Sequence, residues 1–272
     1  MKLLKFLFIG FFIISCSNED KPNNPDNNER LISEINANLF VPDNLPVQQG
    51  SKFTFEYDTN QRLTKKKGGF LAIAAASGFS QIFSNEVYTS LIYANNNVTV
   101  ENFYTSADLT VPKDTKLFHL NSLNQIETKE IPNLLSNYLS KKQLFRYSEN
   151  KLVEIITSYP NMPYDATEPT DYIWTFVENF YYDSNDNLTK TEYFEQQNGV
   201  NIGQKIVRTF EDYDNSVNPC KRFQLLDEFF YRSLSKNNFR KYTEVQYNDG
   251  VKSEIKTIWT FRYDSNGQII VN

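Results

Sequence analysis

The chain predicts an all-β fold, an antiparallel meander of hairpins forming a curved sheet or partial barrel, and three features carry that expectation. The first is a phrase that recurs: aromatic, any residue, Tyr, Asp, Ser or Thr, Asn, two loose positions, then Leu or Ile. It reads FEYDTNQRL from Phe55 to Leu63, FYYDSNDNL from Phe180 to Leu188 and FRYDSNGQI from Phe261 to Ile269. The second is the regular return of Asn- and Gly-rich turn signals between runs of alternating apolar residues, the signature of consecutive hairpins. The third is composition: 22 Phe and 17 Tyr bring the aromatics to 15%, and large flat side chains pack well on a pleated surface. Turn spacing sets the expectation at roughly ten to fourteen strands, with one or two short helices covering the apolar face.

The phrase has a mechanical reading. Its Phe and Tyr lie two apart and share one face of a strand, while the residue between them faces the other way. Asp at the first turn position bonds backbone N–H groups, and Asn or Gly further on tolerates the left-handed conformation that closes a hairpin. Such a unit dictates architecture and names no chemistry.

Taken in order, the chain begins MKLLKFLFIGFFIISC. Lys2 and Lys5 precede an apolar stretch too short to span a bilayer, which fits a secretory signal over residues 1–15. The run Ile13-Ile14-Ser15-Cys16 resembles a bacterial lipoprotein signal, which implies cleavage before Cys16 and lipidation of that residue. Each buried CH₂ of an acyl chain is worth about 0.8 kcal/mol, so two or three chains anchor stably where one does not. Residues 16–28, ending SNEDKPNNPDNN, carry no apolar residue after Cys16 and read as a tether with a reach of roughly 20 Å. Glu19-Asp20 resembles the export tag of Bacteroidota lipoproteins that face outward, which implies the cell surface rather than the periplasmic face.

Residues 29–272 are expected to form one all-β domain. Arg30 to Asn36 reads as a strand or, nearly as well, a helix, and Val41 to Gly50 is a loop with two prolines. Worn copies of the phrase follow at LIYANNNV (Leu91 to Val98), FHLNSLNQI (Phe118 to Ile126) and FRYSENKL (Phe145 to Leu152). Three stretches interrupt them. Gly68 to Phe83, rich in small apolar residues, reads as a short buried helix or, preferred here, an extended segment lying across the sheet. Pro132 to Lys141 has Pro at a first helical position and Leu134, Leu135, Tyr138 and Leu139 at helical spacing. Cys220 to Ser233 places Phe223, Leu226, Phe229 and Phe230 along one helical face and predicts a helix packed on the sheet.

The formal charge is −5, and loss of Lys2 and Lys5 with the signal moves it to −7. A mildly acidic chain without a basic run has no electrostatic footprint for nucleic acid. With Cys16 lipidated, only Cys220 remains, so no intramolecular disulfide is expected, and Cys220 reads as a small buried apolar residue. The single histidine, His119, falls in the "any residue" slot of the phrase, on the wet face, and no catalytic role is assigned to it. Asp183 to Asn187 has alternating oxygens like a calcium loop, but Leu188 and Phe194 stand where Gly and Glu are required, so it reads as a turn. No cofactor or metal is expected. The carboxylate pairs Glu127/Glu130, Glu192/Glu195 and Asp212/Asp214 read as solvated. Aromatic residues are the stronger leads: Trp174, Tyr181 and Trp259 are the candidate binding residues, with Tyr172 and Tyr193 beside them in runs where both faces are large.

The hairpin phrase resembles YD (RHS-like) repeats. Through FTFEYDTNQRLTKK, YDNSVNPCKRF, LSKNN and FRYDSNGQI the chain also resembles a group of Bacteroidota outer-membrane lipoproteins built from such hairpins. The resemblance implies a lipid-anchored envelope protein and no activity. The function expected is therefore a non-catalytic module that binds a glycan or an envelope protein. An envelope hydrolase acting on polysaccharide, or a structural lipoprotein of an outer-membrane complex, are the alternatives.

Overall fold

The computed structural model describes residues 31–40, 50–75, 78–104, 114–248 and 250–271. The expected signal segment, Cys16, the tether and most of the proline loop (41–49) lie outside the described residues. Alternating sequence becomes ladder almost throughout. The strands are β1 (Glu34–Asn36), β2 (Lys52–Tyr57), β3 (Leu63–Ala75), β4 (Gly78–Ala94) and β5 (Asn97–Tyr104). They continue as β6 (Asp114–Leu120), β7 (Ile126–Ile131), β8 (Lys141–Ser148), β9 (Lys151–Ser158) and β10 (Trp174–Tyr182). The last are β11 (Leu188–Gln197), β12 (Val200–Tyr213), β13 (Phe239–Asn248) and β14 (Val251–Ile258). These 14 described strands form one sheet in chain order, every neighbour pair antiparallel. The sheet is curved and open, because β1 and β14 do not pair. At the seam, Trp259 N donates to Arg240 O at 2.8 Å and Asn36 N donates to Val271 O at 2.6 Å, so the final segment ties the two edges together.

Antiparallel order puts alternate connections at opposite ends, here called base and rim. The base carries the recurring turns, and they share one bonding pattern. Asp58 Oδ1 accepts from Asn60 N and Arg62 N, both at 2.9 Å. Asp183 Oδ1 accepts from Asn185 N at 2.8 Å and Asn187 N at 2.9 Å, and Asp264 Oδ1 from Asn266 N and Gln268 N at the same distances. Asn121 does the same with Leu123 N and Gln125 N. The fourth turn residue is left-handed each time: Gln61, Asn124, Asp186 and Gly267 have φ between 58° and 72°. A bulge follows in the ladder after Glu56, His119 and Tyr181, which is the geometry of a type I turn closed by a left-handed residue. Tyrosines that precede a turn aspartate reach sideways: Tyr57 Oη donates to Ile32 O at 2.7 Å, and Tyr213 Oη, before Asp214, donates to Leu188 O. Asp264→Ala should therefore cost about 1 kcal/mol of stability, read by urea unfolding. An unchanged midpoint would remove the turn from the account.

The interior of the curve is filled from the base by the β12–β13 connection, residues 214–238. The expected helix over Cys220 to Ser233 is broken into 3₁₀ turns at Lys221–Phe223 and Asp227–Phe229 and one α-helical turn, Phe230–Ser233. The break has a cause: Leu225 and Leu226 are both buried, and one helical face cannot bury adjacent residues, so Leu226 turns extended (φ −101°, ψ 119°). Phe229 is the hub of the resulting plug. Its ring lies 5.3 Å from Phe223, 5.5 Å from Phe53, 6.0 Å from Phe55 and 6.5 Å from Phe40. The first and last residues of the phrases, Phe55/Leu63, Phe118/Ile126, Phe145/Leu152, Phe180/Leu188 and Phe261/Ile269, all lie in this core. Cys220 is fully buried there, as expected, and burial pushes its thiol up to about 12.

Two other expectations change. Of the stretch Gly68 to Phe83, the described residues 68–75 and 78–83 are extended, but they belong to the ladder rather than crossing the sheet, with Gly69 opposite Ser84 and Phe70 opposite Phe83. Pro132 to Lys141 forms only a 3₁₀ turn, Asn137–Leu139. Asn133 Oδ1 captures the N–H groups of Leu135 and Ser136 at 3.0 and 2.9 Å, a local bond that competes with helix formation. The leucines consequently stand in solvent, Leu134 at 75% and Leu135 at 99% exposure. Arg30 to Asn36 resolves as a strand over Glu34–Asn36, followed by a single helical turn, Ala37–Phe40.

Candidate functional site

The inner face of the sheet changes character from base to rim. Against the plug it is apolar, as described. One register step higher it is charged, and the crown of the plug supplies the opposite charges. Lys129 Nζ lies 2.7 Å from Asp227 Oδ1 and Lys116 Nζ 2.6 Å from Asp227 Oδ2, while Lys66 pairs with Glu228. Burial opposes ionisation of Asp227, but the two ammonium groups outweigh it and hold the carboxyl below the usual range. Across the curve, Glu178 Oε1 accepts from Arg208 Nη1 at 3.0 Å and from Tyr231 Oη at 2.9 Å. Arg208 Nε donates to Glu244 Oε2 at 2.8 Å, joined by Tyr242 Oη at 2.7 Å. Desolvation again raises and these donors lower the Glu244 carboxyl, the net direction being down. Paired in this way, the belt is a rigid floor: a buried ion left single would cost several kcal/mol.

Above the floor, toward the rim, stands a row of rings. Trp174 and Phe176 of β10 alternate with outward residues and so share the inner face with Glu178 and Phe180. Their centroids are 5.9 Å apart. Tyr193 of β11 stacks on Phe176 at 5.4 Å with planes 15° apart, and Tyr159 lies 6.4 Å from Trp174 and 6.2 Å from Phe176. Tyr172 meets Trp174 edge-on at 6.2 Å. Trp174 Nε1 donates to Glu195 Oε1 at 2.7 Å, which locks the indole. All five rings are partly exposed. This is an aromatic shelf with a polar floor, able to stack flat, hydroxylated molecules and to bond their rims.

The three candidate binding residues are not brought together. Trp174 is on the shelf. Tyr181 faces outward, its hydroxyl 3.0 Å from Glu192 Oε2 and its ring under Lys190 Nζ at 4.1 Å. Trp259 is 8% exposed and packed in the core, its ring 4.4 Å from the Arg232 guanidinium, and it lines a separate recess of about 290 Å³ with Asn36, Leu39 and Arg262. Tyr172 and Tyr193 join Trp174 as their neighbourhood implied. Tyr159, Phe176 and Arg208 escaped sequence reading; the inward alternation Trp174-x-Phe176-x-Glu178 is the signal that could have found Phe176.

His119 sits on the outer face with Nδ1 2.9 Å from Asn97 Oδ1 and Nε2 3.6 Å from Glu127. Asp183 and Asp214 share a recess of about 410 Å³ at the base with Lys236 and Asn187. Their oxygens serve the fold: Asp183 Oδ1 holds its own turn, and Asp214 accepts from Ser216 Oγ at 2.8 Å, Asn238 N at 3.1 Å and Tyr263 Oη at 3.1 Å. Among the described residues, no three His, Cys, Asp or Glu side chains stand together as a metal site would need.

No family model matches the chain and no curated protein matches it. Among solved structures, it is similar to a porin-like protein from Bacteroides uniformis ATCC 8492 at 13% identity. That likeness covers 82% of this chain and 84% of the other, with a TM-score of 0.46. A porin-like protein from Bacteroides vulgatus ATCC 8482 is similar at 10% identity over 82% and 86% of the two chains, with a TM-score of 0.41. Neither likeness bears on what this chain does.

Proposed function

We propose that this chain is a lipid-anchored protein of the bacterial cell envelope, held in the outer membrane through Cys16 and facing outward, and that it is a non-catalytic module that binds a glycan. The observation that carries the binding half is the shelf. Five partly exposed rings gather on one inner face, with Trp174 fixed by Glu195, beside a floor of paired charges. Rings this exposed have no packing duty to the plug below. The anchor half is supported by the lipoprotein-like signal ending at Cys16 and by Glu19-Asp20.

The test uses the full chain in detergent micelles, titrated calorimetrically with neutral polysaccharides of glucose, mannose and N-acetylglucosamine. Trp174→Ala should weaken binding at least about tenfold, the equivalent of ~1.4 kcal/mol, while Tyr181→Ala leaves it intact. Equal loss in both variants, or no binding by the unaltered chain, overturns the glycan reading. In cells, Cys16→Ser should move the protein from the membrane to the soluble fraction; retention in the membrane overturns the anchor. A protein partner is the second reading, favoured by the exposed Leu134, Leu135, Tyr138 and Leu139 on the β7–β8 connection at the rim. Leu135→Asp would abolish that contact and leave glycan binding unchanged.

A further inference from the structure

We propose that the shelf ends in a pocket for a single sugar ring, so that the protein holds a glycan by its terminus. This inference rests on the glycan reading above and deepens it. Between the plug crown and the inner face of the sheet lies a cavity of about 210 Å³, of the size of one pyranose and bounded by the plug residues Gln224, Phe230 and Tyr231. Phe118 and Phe145 give it an apolar wall, and its polar lining is Lys129, Gln143, Glu178, Gln224, Asp227 and Tyr231.

Cavity and shelf are continuous. Gln143 stands opposite Thr157, and Thr157 opposite Phe176, in one cross-strand row. Glu178 follows Phe176 by two residues on the same face of β10. A chain stacked on Trp174 and Phe176 therefore has its next residue directed to Glu178 and Gln143.

The polar groups suit a sugar ring. Both bonds to Glu178 fall on Oε1, which leaves Oε2 as an acceptor. Gln143 spends one Nε2 hydrogen on Thr157 Oγ1 at 3.1 Å and keeps its carbonyl oxygen and a second N–H. Both carboxylates of the pocket are paired, Asp227 with Lys129 and Lys116 and Glu178 with Arg208. The wall therefore offers acceptors and donors without a dominant charge, which matches hydroxyl groups that do both. The apolar wall serves the C–H face of the ring.

The experiment measures what the number of chain ends does. The full chain in detergent is bound to an immobilised polysaccharide that passes the calorimetric test. It is then displaced by long and short oligosaccharides of the same sugar at equal mass, and by the free monosaccharide. Displacement should rise in proportion to the number of ends, and the monosaccharide should compete. Gln143→Trp, which fills the cavity from its wall, should erase the preference for ends and leave weaker binding that Trp174→Ala then removes. A circular-dichroism melt confirms that the variant is folded; if it is not, Gln143→Ala, which removes the amide without adding bulk, should weaken the preference for ends. Displacement that follows total mass irrespective of ends overturns the pocket and leaves the shelf standing. No displacement by any sugar overturns both.

Discussion

Phe229→Ala is expected to lower the unfolding free energy by about 3–5 kcal/mol, the range for truncating a buried aromatic. The reason is position more than size. Phe229 is 2% exposed and touches rings from α1, β2 and the plug itself, where α1 is the turn Ala37–Phe40. Those rings belong to elements far apart in the chain, so their shared contact is what converts a string of hairpins into one wrapped body. A curved sheet has little reason to hold its curvature over an emptied base. The loss should appear in urea unfolding as a fall in midpoint, and a rise in thermal aggregation would follow from the exposed inner face. A cost under about 1 kcal/mol would mean that the sheet curves without its filling.

Arg232 should give a pair of results that differ from each other. Its guanidinium is buried and has rings on several sides: Phe239 at 4.0 Å, Trp259 at 4.4 Å, Phe40 at 4.6 Å and Phe261 at 5.9 Å. One N–H group bonds Phe239 O at 3.1 Å, and Nη2 has no hydrogen-bond partner. Burial pulls the group down to about 10, so it is still charged at neutral pH. Desolvation and ring attraction thus oppose one another, each worth about 2 kcal/mol or more in a dry site. Arg232→Ala removes the attraction and leaves a hole between four rings, with a cost of about 3 kcal/mol or more. Arg232→Met keeps the volume and sheds the desolvation penalty, so it should stay within about 1.5 kcal/mol of the original. Differential scanning calorimetry of the two variants decides it. Equal losses would mean that the charge itself, rather than the filled space, holds the seam.

Much of the scaffold could be read from residues, because the turn phrase is a local object. Asp58, Asp183 and Asp264 bond amides two and four residues on, and nothing distant is needed to predict that. The apolar ends of each phrase reached the core for the same reason: strand alternation fixes which residues share a face. Depth is another matter. Trp259 and Trp174 look alike in sequence, yet one ends beneath Arg232 and the other at the rim, a distinction made by what fills the base. The plug was legible as an aromatic segment, but not as three short turns, since that depends on the sheet offering hydrophobic walls to both Leu225 and Leu226. Leu134 and Leu135 misled in the opposite sense: helical spacing was present, and the partner face that would make a helix worthwhile was not.

The shelf was half legible. Trp174, Tyr172 and Tyr193 stood out as aromatics in crowded strands, whereas the pairing of Phe176 with Tyr193 needed the β10–β11 register. That register is set by the Asp183 turn and its bulge at Tyr181, so the scaffold and the site are linked by one hairpin.

The claim on which the rest depends is that the sheet and its plug form one cooperative unit. Hydrogen exchange of the intact chain under mildly denaturing conditions tests it most directly. The amides of Phe223, Leu226 and Phe229 each donate to a plug carbonyl, at 2.9, 3.0 and 3.1 Å. They should open with the same free energy as those of β2, β8 and β10. Plug amides that exchange well before these strands would show a sheet that stands without its filling, and would contradict the account.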